Sequence, residues 1–511
     1  MVSIFAFVWM LLFVVLCAMW LSNKALRPNI STAICVWLTI YVGFGLGSLI
    51  FDKNRLAAST PILQADRAEL MLRFKSAFDS MDKLMPSASP KKFNSTAKEL
   101  KQFTEQADEL LAPLVEKNPK SLPILVRYVI LEHYMQRPID KTLAQLANAD
   151  APDAKDIAED IGALYSKQPI DPHKVPKMEA ELTKRLPRGW YQDSAMETFY
   201  QRTNQQAKLK ALTDDEQGKN YTMLVKFAGL FVLAALTALA GAIIVLVTLI
   251  FLPRKLTTDE DKQLVAAPAA YGIKAVYGSF LAWLAAEMTT SYLLLNLTLS
   301  LHFHLADYGV LAAAIGILVT YSLANGPGLL FAYLIAMKPN GVSFFEGFKF
   351  RTHVGKLGPW RLIGIGIMTW VAAVPLVVLS ALIAFKGLGS EGSSNPVIPQ
   401  IMEAARSSNV LAILIFYFTV SVLAPICEES LFRGFLYSSL RRRLNFLPSA
   451  LITALLFAGI HLDPGGFVPL FTLGLVFAFV VERTRSTLPT MIAHGLWNGI
   501  TFTLVLLLFG N

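Results

Sequence analysis

The chain has 511 residues, of which 54% are hydrophobic and only 16% charged, with a net charge of +9. Soluble globular proteins carry about 25% charged residues, and here the apolar excess is gathered into long runs. An ordinary soluble domain is thereby excluded, and the basic balance becomes a question of membrane orientation rather than of nucleic-acid binding.

In chain order, the pattern predicts an all-α, polytopic membrane helix bundle of about ten spans with one helical extracytoplasmic domain. The first run, Val2 to Leu21, has no basic n-region and no small-residue cleavage site, so it is expected to be an anchor rather than a removed signal peptide. A second run covers Ser31 to Phe51. These two helices form the 1–51 segment. From 52 to 220 the chain is charged and free of long apolar runs, about 170 residues and enough for one soluble domain. Apolar residues at three- and four-residue spacing over Leu70–Leu84, Ala97–Leu111 and Leu122–Tyr134 predict helices, and prolines punctuate the intervals. A helical-hairpin array is one form this could take, although no repeat of fixed period is found. His133 and His173 stand alone here and are expected to pack or to face solvent; the ligand of this domain is unknown.

Membrane helices then fill 221–404 and 405–511. The runs lie near Tyr221–Leu252, Val265–Leu301, Tyr308–Met337, Leu362–Phe385, Val410–Cys427, Pro448–His461, Phe467–Val481 and Leu488–Phe509. Every second loop is basic: Lys24 and Arg27; Arg254, Lys255 and Lys262; Lys338 through Arg361; Arg441 to Arg443; Arg483 and Arg485. The alternation predicts one topology, with basic loops cytoplasmic and 52–220 extracytoplasmic, in a bacterial plasma membrane. The cysteines, Cys17, Cys35 and Cys427, lie in apolar runs, so neither a disulfide framework nor a CxxC motif is expected.

The chemistry is concentrated between Glu428 and Asn498. Two adjacent acids at the end of an apolar helix cost several kcal/mol even on the lenient insertion scale. Arg433 stands four residues after Glu429, the spacing of an ion pair on one helix face. Glu428 then points about 100° away and is freer to react. A purely structural ion pair would account for this segment alone. Two further segments argue for a site: Phe457-Ala-Gly-Ile-His461, and His494-Gly-Leu-Trp-Asn498, whose histidine and amide share a face. Counted from the cytoplasmic loops, these groups reach similar depths, which one shared site explains better than separate helix contacts. Glu287, alone in its run, could line a substrate cavity or pair with Lys274 or a neighbouring helix. His302, His304 and Asp307 read as interfacial loop residues rather than a metal site.

Glu428-Glu429-Ser-Leu-Phe-Arg433, Phe457 to His461 and His494 to Asn498 together form EExxxR, FxxxH and HxxxN in order. This set resembles the CPBP family (CAAX proteases and bacteriocin-processing proteins, or Abi family) over residues 405–511. The resemblance implies an intramembrane endopeptidase. Eukaryotic members remove the last three residues of prenylated CAAX proteins, whereas bacterial members are linked to bacteriocin maturation and self-immunity. Carried over, Glu428 would be the general base that activates a water and His461 would help hold it. His494 and Asn498 would stabilise the oxyanion, while Glu429 and Arg433 fix the geometry. The expected partners are a peptide or membrane-protein substrate and the lipid bilayer, with no nucleic acid. The family has been described both as metalloproteases and as glutamate-dependent proteases. The reading favoured here needs no tightly held metal; its alternative is zinc or another divalent ion on Glu428, His461 and His494. Cys427 is read as a packing residue. Two rival functions differ in class: an ion- or proton-coupled transporter or channel, against which the lack of internal repeats argues, and a non-catalytic scaffold presenting the 52–220 domain, against which the intact motif set argues.

Overall fold

In hydrocarbon every backbone N–H and C=O must pair internally, so a long apolar run is stable there as a helix. The computed structural model of the chain describes residues 36, 60–84, 94–251, 266, 271–300, 309–388, 397–407 and 409–509. Among them all regular structure is helical, apart from an isolated bridge between Val354 and Leu357. The expected all-α membrane class is therefore correct. The chain divides into two compact units, Leu56–Leu233 and a second made of Met1–Arg55 with Ala234–Asn511.

In the first unit, α1 (Thr60–Leu84), α2 (Asn94–Lys117) and α3 (Leu122–Tyr134) match the three segments whose spacing predicted helices. Four more follow: α4 (Asp140–Ala147), α5 (Ala154–Tyr165), α6 (Val175–Arg185) and α7 (Trp190–Arg202). Proline occupies the first turn of α3 and of α6, where its missing N–H costs nothing. Leu125, Val129 and Ile130 of α3 meet Ile161, Tyr191 and Phe199 in one core. The chain closes on itself here: Trp190 Nε1 donates to Ser76 Oγ at 2.9 Å, and Arg127 pairs with Asp66 at 3.5 Å. These bonds tie α7 and α3 to α1, so the helices form a bundle rather than an open array. His133 stacks on Tyr165 at 3.8 Å between ring centroids, and His173 is exposed, the packing and surface positions expected of them.

The second unit is the membrane part. Its helices are α8 (Gln206–Phe251), which begins in the first unit, α9 (Ile273–Ser300), α10 (Val310–Phe331), α11 (Pro359–Leu388), α12 (Val397–Ser407), α13 (Val410–Arg441), α14 (Phe446–Ile460), α15 (Phe467–Thr484) and α16 (Leu488–Phe509). Among the described residues six stretches are long and apolar enough to cross a bilayer: Gln206–Ile250, Val310–Asn340, Pro359–Lys386, Val410–Arg441, Phe467–Thr484 and Leu488–Leu507. Two further expected runs became α9 and the shorter α14. The first two, Val2–Leu21 and Ser31–Phe51, lie outside the described residues apart from Val36, as do His302, His304 and Asp307, so the structure supports six of about ten spans. Their outward faces are apolar, as a hydrocarbon solvent allows: Leu233, Leu236 and Leu239 on α8 and Val410, Leu411 and Leu414 on α13 are all exposed.

Helix α13 is the centre of this unit and packs against α10, α14, α15 and α16. It runs past its apolar run to Arg441, so Glu428 to Arg433 lie inside a helix and not at its end, a correction to the expected boundary. Continuing the helix keeps the backbone of the acidic segment paired. Arg441 departs from expectation too. It is 1% exposed, forks onto Glu482 (Nε to Oε2 2.9 Å, Nη2 to Oε1 2.7 Å), and Tyr437 Oη donates to the same Oε2 at 2.6 Å. A buried bidentate pair of this kind locks α13 to α15 and contributes no net charge to the loop. Lys349, counted with the basic loops, is likewise buried and donates to the Ala266 carbonyl at 2.6 Å. Its loop is docked on the site-bearing helices. Thr487 N donates to Lys349 O at 3.0 Å, and a Cβ at Gly434 would lie 2.3 Å from Phe348 O, so only glycine permits that approach.

Candidate active site

Glu428 and Glu429 end a short α-helical stretch, Ala424–Glu429, between two π-helical segments, Thr419–Leu423 and Ser430–Tyr437. Such wide turns free backbone groups and change the phase of the helix, and they concentrate at functional sites. One consequence is visible on α16. Asn498 Nδ2 donates to the carbonyl of Val420, in the first π segment, at 2.8 Å. The two helices come close enough for this because Gly495 faces Ser421, where a Cβ would stand 2.6 Å from the carbonyl oxygen.

The two acids have separate partners. Glu429 is fully buried; Arg433 Nη1 donates to its Oε1 at 2.9 Å, the i,i+4 pairing expected. His494 Nδ1 lies 3.0 Å from the same oxygen. Arg433, 1% exposed, makes no hydrogen bond through Nε or Nη2 among the described residues. Its guanidinium lies instead over the rings of Phe457 at 4.2 Å and Phe477 at 5.2 Å. Aromatic faces thus supply part of the stabilisation that water would give a buried cation. The same two rings flank the histidines: Phe457 stands edge-on to His461 and His494, and Phe477 is tilted against His494.

Glu428 is 12% exposed and faces the other way. Tyr321, on α10, donates through Oη to Glu428 Oε1 at 3.0 Å. The second oxygen, Oε2, is buried and has no hydrogen-bond partner among the described residues. It lies 3.8 Å from His461 Nε2 and 3.9 Å from His494 Nε2. Both distances are too long for a direct hydrogen bond and suit an intervening water.

The histidine tautomers follow from their other contacts. His461 Nδ1 is 2.6 Å from the Phe457 carbonyl, which can only accept, so Nδ1 carries a hydrogen. His494 Nδ1 meets the Glu429 carboxylate in the same sense. In the neutral rings both Nε2 atoms then present lone pairs toward Glu428 Oε2. His461, just past the end of α14 and 24% exposed, is the most open member of the group.

The structure therefore brings Glu428, His461 and His494 around one small volume, with Glu429 and Arg433 behind it; the Asn498 amide is engaged on Val420. Glu287 lies within electrostatic range of both Glu428 and Tyr321. Cys427 is a buried free thiol. Tyr321 was missed from sequence, although Thr320, Tyr321, Ser322 and Asn325 interrupt an apolar run and were the signal available. Glutamate and histidine are donors that zinc accepts. Among the described residues, however, no group of three His, Cys, Asp or Glu side chains is arranged to hold a metal ion.

Residues 410–500 match the family model described as type II CAAX prenyl endopeptidase Rce1-like, and this interval contains Glu428 through Asn498. Among curated proteins, the chain is similar to the putative membrane peptidase YdiL of Bacillus subtilis, 26% identical over 150 residues, 28% of this chain and 57% of that protein. It is similar also to the membrane-embedded CAAX protease MroQ of Staphylococcus aureus, 28% identical over 156 residues, 29% of this chain and 58% of that protein. The UPF0177 protein YaiF of Lactococcus lactis is 29% identical over 107 residues, 20% of this chain and 48% of that protein. The chain thus spans about half the length of the curated relatives it matches. No solved structure matches it.

Proposed function

We propose, on the premise that the C-terminal membrane region is of the CPBP family of CAAX-type membrane proteases, that the protein is an intramembrane endopeptidase whose nucleophile is a water activated by Glu428 and His461. One observation carries the reading: the unpartnered Glu428 Oε2 stands before two imidazole lone pairs at 3.8 and 3.9 Å. A water between them can give one hydrogen to the carboxylate and the other to Nε2 of His461, which leaves an oxygen lone pair for attack.

In the reaction that follows, Glu428 takes a proton from the water as its oxygen bonds to the scissile carbonyl carbon. The carbonyl electron pair moves onto oxygen. Collapse of the tetrahedral intermediate breaks the C–N bond, and the proton on Glu428 passes to the leaving amine. His494 can assist once it is doubly protonated. Its Nε2 then donates to the oxyanion while the Glu429 carboxylate on Nδ1 balances the ring's charge, as in other carboxylate–histidine couples. Asn498 retains a second amide hydrogen after its bond to Val420 and is the other proposed donor. No metal is required, and the substrate is a membrane-associated peptide or protein.

Two tests apply. Termini in membranes from cells carrying wild type or Glu428→Gln should differ, with new ends present only for wild type, and cleavage by the purified protein should persist in EDTA. Identical sets of termini would reject the protease reading. Loss of activity in EDTA and its return with zinc would make Glu428, His461 and His494 ligands instead. On the alternation of basic loops, the 52–220 domain lies outside the cytoplasm of a bacterial cell. A cysteine introduced as Leu100→Cys should then react with an impermeant reagent in intact cells. Reaction only after membrane rupture would reverse the topology.

A further inference from the structure

We infer that Tyr321 is a positioning residue for this reaction, holding the Glu428 carboxylate so that Oε2 faces the two histidines. The inference rests on the proposed role of Glu428. Tyr321 stands on α10, outside the 410–500 interval matched by the family model, and reaches across the helix interface to a residue 107 positions away. Its hydroxyl is the partner of Oε1 at 3.0 Å, while Oε2 has no hydrogen-bond partner among the described residues. A glutamate side chain turns about three torsions, and among the described residues the hydrogen bond that fixes this carboxylate comes from α10. Arg433, the one cation close in sequence, is engaged by Glu429. The phenol is therefore the contact that decides which oxygen is held and which is presented.

The surroundings sharpen this role. Glu287 of α9 is in electrostatic range of both Glu428 and Tyr321. A phenol has one hydrogen to donate, and it goes to Glu428. With that hydrogen gone, the carboxylate would meet a second acid nearby with no donor to hold it in place, and its swing would move Oε2 off the water. Misplacement by about 1 Å can cost about 10²-fold in rate, whereas ground-state binding of a peptide elsewhere in the site is untouched.

The test is Tyr321→Phe, which keeps the ring and removes only the hydroxyl, assayed in proteoliposomes on a peptide substrate of the wild type. The expected result is a kcat lower by about 10- to 100-fold with KM within about twofold. In a Glu428→Gln background the same substitution should lower the residual rate no further, because the hydroxyl acts through the carboxylate. A wild-type kcat for Tyr321→Phe overturns the inference, as does a raised KM with kcat intact, which would place Tyr321 against the substrate. An equal loss in both backgrounds overturns it too, since the effect would then not pass through Glu428. If Glu428→Gln itself keeps full activity, it is the proposed base that fails.

Discussion

Glu428→Gln is expected to lower turnover by about 10²–10⁴-fold, the usual cost of a lost general base, while membrane insertion is unchanged and the melting temperature does not fall. An amide has nearly the shape of the carboxylate and can still accept the Tyr321 hydrogen bond, so packing is preserved. It cannot take a proton from water. His461→Ala should act on the same step and fall in the same range, because Nε2 is one of the two lone pairs facing Oε2, at 3.8 Å. Its Nδ1 bond to the Phe457 carbonyl and its edge-on contact with the Phe457 ring lie at the partly open end of α14, so the fold should survive its loss. Single-turnover assays on purified protein would measure both effects. A Glu428→Gln protein with near wild-type rate would mean that the carboxylate is not the base and that the histidines, or another acid such as Glu287, must be reconsidered.

Glu429→Ala and Arg433→Ala should instead fail by unfolding. Each strands a buried charge, which typically costs about 3–5 kcal/mol. Here the stranded partner has nowhere to turn, since Glu429 is 0% and Arg433 1% exposed. Loss of Glu429 leaves the guanidinium with aromatic rings alone and removes the acceptor that orients His494. Loss of Arg433 leaves a buried carboxylate without its counter-ion, held by the His494 N–H and Thr490, and opens a void beside Phe457 and Phe477. Both variants should melt early in detergent and lose activity together. Glu428→Gln, measured beside them, should melt at or above the wild-type temperature, because a desolvated carboxylate near Glu287 becomes neutral. If Glu428→Gln is the variant that melts early while Glu429→Ala is stable but inactive, the roles of the two acids must be exchanged.

Sequence and structure divide this protein along a physical line, between what a segment decides by itself and what two segments decide together. A run of apolar residues in hydrocarbon must pair its own backbone, so the helical class, the positions of α8 to α11 and of α13 to α16 and the helical reading of α1 to α3 were legible from residue patterns, whereas α12, short and amphipathic, fell in an interval read as a loop. The Glu429–Arg433 pair was legible for the same reason: a spacing of four on one helix puts two side chains on one face whatever surrounds them. Periodicity does not say which foreign helix meets that face. Tyr321 could not be connected to Glu428 from sequence, because the contact depends on how α10 packs against α13. One hydrogen of the Asn498 amide is taken by the Val420 carbonyl, an acceptor in a π-helical segment that helical periodicity does not announce. Arg441 looked like a solvated loop charge because Glu482, its counter-ion, is 41 residues downstream and reaches it only when α15 packs on α13. The tautomers of His461 and His494 were decided at the same level, by the carbonyl and the carboxylate that their Nδ1 atoms meet. Local rules chose the helices and most of the reactive groups; the packing of α10, α13 and α16 chose which of those groups touch.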